Sequence, residues 1–297
     1  MPAAVVYRAP VPPIERRVAV NGITLALFEW GAEHRGRGDS ILLAHATGFH
    51  ARCWDRVVAH LGPRHVIAVD QRGHGRSDKV YPVRWMDFGR DLAELVRILD
   101  LRDLVGVGHS MGGHALTDAA ASAAGRFRRL VLVDPVIFAP ESYAEPAAIA
   151  WSGEMHPAAK RRNRWDSAEE MFARFRDRPP FDTWDVDVLR DYCRWGLLPD
   201  PAGGGFVLAC PPEYEASVYM TNRDNPGVHA SARAIDVPVL MVRVMEPRGA
   251  FDFRHSPTWP GLVREFARGR EIHLDDRHHL LPMEDPALVA GYVLADD

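Results

Sequence analysis

The run Leu104-Val105-Gly106-Val107-Gly108-His109-Ser110-Met111-Gly112-Gly113 constrains this chain more than any other stretch. Its apolar part stops at Gly108 and reads as a buried strand. The residues after Ser110, through His114, Ala115, Leu116 and Ala119, read as a helix. Gly108 and Gly112 stand two residues either side of Ser110. A chain reversing that tightly crowds its own backbone, so both flanking positions want no Cβ. The serine at the apex is then strained, with its hydroxyl presented. This is the G-x-S-x-G arrangement of an activated nucleophile on a strand–turn–helix. The competing reading is a glycine-rich turn with an incidental serine, and the rest of the chain decides between them.

Strand and helix patterns alternate on either side of this turn. Arg17–Val20 and Ile23–Trp30 flank Asn21-Gly22, a hairpin signal because both turn residues tolerate positive φ. Buried-type strands are expected at Ser40–Ala44, Val66–Val69, Arg129–Val133 and Val237–Val244, with a short one at Glu271–His273. Helices are expected near Trp54–Leu61, Arg84–Leu99, Thr258–Phe266 and through Leu294. Continuous apolar strands between helices predict an α/β protein with a mostly parallel, doubly wound sheet. The alternation lapses between Pro135 and Arg233, where four of the eight tryptophans fall: Trp151, Trp165, Trp184 and Trp195. Residues 1–134 and 234–297 are therefore expected to form the core domain, and 135–233 an inserted, mostly helical cap. Loops at the carboxyl ends of parallel strands converge on one crevice. The elbow, the His45 loop, Asp134, Glu246 and His279 all project there.

Composition narrows the function class. The chain has 297 residues, 47% hydrophobic and 26% charged, as a soluble globular protein has. A net charge of −4 gives no electrostatic case for nucleic acid or an anionic membrane. Cys53, Cys193 and Cys210 are too few and too scattered for a disulfide framework or a paired zinc site, which suggests reduced thiols in the cytoplasm. The proline-rich start holds no apolar run of signal-peptide length, and no stretch approaches the ~20 apolar residues of a membrane span.

Four pieces together resemble the α/β-hydrolase superfamily over nearly the whole chain outside the cap. They are His45-Ala46-Thr47-Gly48-Phe49, the loop from Asp70 to Asp78, Gly108-His109-Ser110-Met111-Gly112-Gly113, and His279-Leu280-Leu281-Pro282-Met283-Glu284-Asp285-Pro286. The resemblance implies Ser110 as nucleophile and His279 as its base, with His278 the alternative. It implies an oxyanion hole from the backbone N–H groups of Met111 and Thr47. The usual His-Gly dipeptide of that loop is His45-Ala46 here. The third member must accept the base's other N–H and stabilise the imidazolium. The family's usual acid follows the strand ending at Val244, where this chain has Glu246 and then Pro247. Glu246 is the first choice for the acid, ahead of Asp134 and Asp252. His45 and His74 are expected to hold their loops, and His109 to point away.

The expected activity is hydrolysis of an ester or similar acyl substrate through an acyl-enzyme, with no metal or organic cofactor. Thioester or C–C bond hydrolysis and acyl transfer would use the same residues. A receptor that keeps the fold only to capture a ligand is the rival from another class, and the displaced acid is the feature favouring it. Trp151, Trp165, Phe172, Phe175, Trp184, Trp195 and Tyr219 suggest an apolar lid over a small-molecule acyl substrate, or simply the cap's own core. Lys160-Arg161-Arg162-Asn163-Arg164 reads as a solvated helix face, with attraction of an anionic substrate tail as the alternative.

Overall fold

The computed structural model describes residues 12–143, 155–246 and 254–295. Its frame is an eight-stranded sheet of β1 (Ile14–Val20), β2 (Ile23–Trp30), β3 (Ser40–Ala44), β4 (His65–Asp70), β5 (Leu104–His109), β6 (Phe127–Val133), β10 (Val239–Val244) and β11 (Gly269–Leu274). The spatial order is β1-β2-β4-β3-β5-β6-β10-β11. The hairpin β1–β2 turns on Asn21 and Gly22, at φ 45° and 80°, the left-handed values its turn type needs. From β4 to β11 every pairing is parallel. Every residue of β3, β4, β5 and β10 is buried, which is why these strands read as unbroken apolar runs.

Helices cover both faces. On one side α2 (Trp85–Ile98), α3 (Met111–Ser122) and α7 (Val228–Ala234) bury Phe88, Leu92, Leu116 and Val228 against the sheet. On the other, α1 (Asp55–His60), the short α8 (Leu281–Glu284) and α9 (Pro286–Leu294) bury Val57, Leu281, Val289 and Val293. The chain leaves β3 toward β4 on one side and returns to β5 on the other. Ligand crevices form at such a switch point, outside the carboxyl ends of the strands. His45 follows β3 and Ser110 follows β5, so both open into it.

Between β6 and β10 lie α4 (Ala168–Phe175), α5 (Val186–Trp195), α6 (Pro212–Met220) and α7, with a small sheet ordered β7 (Arg164–Trp165), β9 (Phe206–Leu208), β8 (Leu197–Pro199). A third apolar cluster joins this segment to the core loops. In it Trp165, Met171, Trp184 and Tyr192 pack with Phe49, Leu280 and Met283. Helix α7, read from sequence as the end of the cap, packs on α3 instead. Tyr214 and Val218 of α6 join the same core cluster. Trp151 lies outside the described residues.

Two further expectations differ. The helix expected over Thr258–Phe266 is one 3-10 turn at Leu262–Glu265, because Pro260-Gly261 interrupts the segment. The basic run at 160–164 is not a helix face. A 3-10 turn ends at Lys160, and Arg164 already belongs to β7. Among the described residues, no helix is long and apolar enough to cross a membrane.

Candidate active site

The elbow has the strain its sequence demands. Ser110 sits at φ 57°, ψ −118°, between the end of β5 and the first residue of α3. A Cβ on Gly108 would lie 2.5 Å from the Gly112 carbonyl oxygen, and one on Gly112 would lie 2.1 Å from that of Ala44. The missing side chains let α3 start directly against β3, and the reversal thrusts Ser110 up at the strand ends.

His279 comes to Ser110 from the far end of the chain. Its Nε2 is 3.1 Å from Ser110 Oγ, and its Nδ1 is 2.6 Å from Asp134 Oδ2. The network fixes the tautomer: Nδ1–H donates to the carboxylate, and Nε2 accepts the serine hydroxyl. His279 is held on both sides of its backbone. Its N–H donates to the Arg254 carbonyl at 2.9 Å, and its carbonyl accepts from His109 Nε2 at 2.7 Å. His109 thus points away from the Ser110 hydroxyl and fixes the His279 backbone.

The carboxylate behind His279 is Asp134, not Glu246. Asp134 directly follows β6, at φ 46°, and is fully buried. Its Oδ1 accepts from Ser256 Oγ at 2.5 Å and the Val244 N–H at 3.4 Å, and shares the single Thr258 hydroxyl proton, 3.1 Å away, with the Pro135 carbonyl at 2.7 Å. Glu246 faces Arg243, 2.6 Å away, and its side chain is 54% exposed. The buried guanidinium of Arg243 needs anions and takes Glu246 and Glu271 together. Asp252 lies outside the described residues. His278 pairs with Glu284 at 2.9 Å. Sequence reasoning missed Ser256 and Thr258, whose hydroxyls supply the acid. A Ser-x-Thr pair upstream of the base carries no distinctive signal.

The loop after β3 is built from histidines kept neutral. His45 Nδ1–H donates to the Ala46 carbonyl at 2.8 Å, while its Nε2 accepts the Gln71 N–H at 3.0 Å. His74 Nδ1–H donates to the Arg72 carbonyl at 2.8 Å, and its Nε2 accepts the Gly48 N–H at 3.0 Å. Each ring must accept at one nitrogen, so neither can be an imidazolium. Burial pushes His74 down to about 4 and His45 well below the usual histidine range, the latter with help from His74 beside it. Burial also takes His50 down to about 3 and His109 well down. Asp70, at the end of β4, accepts the N–H groups of Ala51 and Arg76, each at 2.7 Å, and so ties the two loops together. Thr47 is buried at the turn of this loop. Met111 opens α3, where a helix has no carbonyl to receive its N–H. The two N–H groups named from sequence thus belong to the two loops that flank the switch point.

Residues 41–291 match the model of the alpha/beta hydrolase family. A non-heme haloperoxidase of Rhodococcus erythropolis is 31% identical over 234 residues, 75% of this chain and 78% of that protein. A type I acyl-CoA thioesterase of Penicillium brevicompactum is 31% identical over 238 residues, 71% of this chain and 52% of that protein. The crystal structure of E-2-(acetamidomethylene)succinate hydrolase resembles this one with a TM-score of 0.71 at 24% identity, over 95% of this chain and 97% of that one.

The buried histidines give the protein an acid limit. An unfolded histidine titrates near 6.5. His74 and His50 have folded values of about 4 and about 3, so the stability they contribute is fully present above pH 6.5 and is lost as pH falls toward those values. Asp55, pushed up to about 6 mainly by burial, acts in the opposite sense between pH 6 and 4, as do Asp70, Asp91, Asp191 and Asp224, which burial also raises; these five are outnumbered by the seven histidines that burial lowers, His45, His50, His65, His74, His109, His114 and His156. Melting temperature is expected to fall steadily from pH 6.5 to 4. A flat or rising profile across that window would contradict the neutral assignment.

Proposed function

This chain belongs to the alpha/beta hydrolase family and is a hydrolase, and we propose that it cleaves an ester or related acyl substrate through an acyl-enzyme on Ser110. The observation that supports this reading is the unbroken relay Ser110 Oγ, His279, Asp134, at 3.1 and 2.6 Å. Serine is a weak nucleophile until a base takes its proton, and the base needs a fixed tautomer and a counter-charge. Ser110 Oγ attacks the acyl carbon as its proton passes to His279 Nε2. The tetrahedral oxyanion rests on the N–H groups of Met111 and Thr47. Collapse expels the leaving group, which takes the proton back from His279. Water then attacks the Ser110 ester with His279 again as base, and the acid leaves. These steps use only the chain's own groups and water.

Asp134 is the acid in this mechanism. Its imidazolium partner is stabilised by a full charge held in a site without solvent, where that charge acts most strongly. A displaced acid was the one argument for a non-catalytic receptor, and with Asp134 behind His279 that argument lapses. The relative named a thioesterase favours a thioester within the acyl class. The three cysteines are buried and unpaired, in keeping with a cytoplasmic setting.

A fluorophosphonate probe is expected to label Ser110 in the wild type and to fail on Ser110→Ala. If peptide mapping finds no adduct at Ser110 in folded protein, the mechanism fails. With p-nitrophenyl esters, Asp134→Asn is expected to lower kcat by about 10³–10⁴, as misorienting the base does elsewhere. Glu246→Gln is expected to stay within a few-fold of wild type. The reverse ranking would restore Glu246 as the acid.

A further inference from the structure

The segment between β6 and β10 contains a cavity of about 300 Å³ that the relay does not use. Arg161, Arg162, Arg174 and Arg178 line it, with the rings of Phe175 and Phe181. No carboxylate lines it among the described residues. Between 160 and 178 the chain has seven Lys and Arg against four Asp and Glu, a local excess of positive charge in a protein of net charge −4.

Two of the four guanidinium groups are already matched. Arg161 is held by Glu215 and the Tyr192 hydroxyl. Arg162 is clasped by both oxygens of Glu170, at 2.6 and 3.1 Å, and lies over the Trp165 ring. Arg174 and Arg178, both exposed at the mouth of the cavity, form no ion pair with a carboxylate among the described residues, so a ligand there meets two guanidinium groups that no carboxylate holds.

Arg161 links the cavity to the catalytic crevice. It walls both this cavity and a small void against Gly48 and Phe49 of the oxyanion loop. A row of ring contacts runs the same way. Phe175 stacks on Phe181 at 4.3 Å, Phe181 meets Trp184 at 5.0 Å, and Trp184 meets Phe49 at 5.5 Å. Phe49 stacks on His109, which touches His279.

We propose that this cavity is the subsite for a dianionic group on the acyl substrate, held by Arg174 and Arg178 beside the rings of Phe175 and Phe181, with the rest of the substrate passing Arg161 toward Ser110. The proposal rests on the acyl-enzyme reading and adds the chemical class of the substrate. Guanidinium forks bind phosphate and carboxylate oxygens alike. The dianion is therefore either a phosphorylated leaving group or a dicarboxylic acyl chain.

The test compares matched pairs. Butyryl-coenzyme A is set against the neutral thioester butyryl-N-acetylcysteamine, and the p-nitrophenyl monoester of a tricarboxylic acid against p-nitrophenyl butyrate. In each pair the readout is the ratio of kcat/KM, anionic over neutral, in wild type and in an Arg174→Gln, Arg178→Gln double variant. The wild-type ratio is expected to exceed one and to fall at least tenfold in the double variant, in one pair. The coenzyme A pair responding identifies a phosphorylated leaving group, and the other pair a dicarboxylic acyl chain. Ratios that do not move in either pair overturn the proposal, including a uniform fall in every rate, which marks a structural role. Binding is read separately in Ser110→Ala protein, by indole fluorescence on titration with coenzyme A and with citrate. Absence of turnover by the wild type on all four substrates would sink the hydrolytic reading alone. Titrations unaffected by the arginine substitutions would sink the subsite alone.

Discussion

A carboxylate with no solvent exposure must be given donors, and the way Asp134 is supplied organises this active site. One oxygen takes the His279 N–H, and the other takes two hydroxyls and a backbone N–H. The donors come from β10, from the loop that follows it, and from the penultimate loop of the chain. A single buried charge therefore fixes three separate segments at the carboxyl end of the sheet. Removing any one donor leaves the others around a less satisfied charge, the costly condition for a buried polar group.

The fold and most of the site were legible because they rest on local rules. Gly108 and Gly112 are dictated by contacts under 3 Å, and such contacts leave their mark in sequence. The buried strands announce themselves by unbroken apolar runs, and the hairpin by Asn21-Gly22. The carboxylate partner of His279 was not legible for a different reason. Glu246 and Asp134 follow neighbouring strands, and either could face the base by spacing alone. What separates them is Arg243, whose buried guanidinium holds Glu246 from β10. That is a contact between side chains three residues apart, and nothing in the spacing gives its direction. The helix expected over Thr258–Phe266 failed for a local reason, since Pro260-Gly261 outweighs the apolar spacing around it.

The segment between β6 and β10 was the least readable part. Its apolar residues do two jobs that look alike in sequence. Trp165, Trp184 and Tyr192 build a cluster with the core loops, while Tyr214, Val218 and Val228 belong to the layer over α3. The division between the two clusters therefore falls between α5 and α6, inside the stretch that the sequence presents as one insertion.

The first residues of that segment are bound to the elbow itself. The Val136 N–H donates to the Ser110 carbonyl at 3.1 Å, the Thr258 hydroxyl to the Pro135 carbonyl at 2.7 Å, and the Trp259 N–H to the Ile137 carbonyl at 2.9 Å. Where the chain leaves the sheet, it is riveted to Ser110 and to the surroundings of Asp134. Displacing the root of this segment would pull on Ser110 and on the donors of Asp134 together, so the strand ends and the start of the segment behave as one piece.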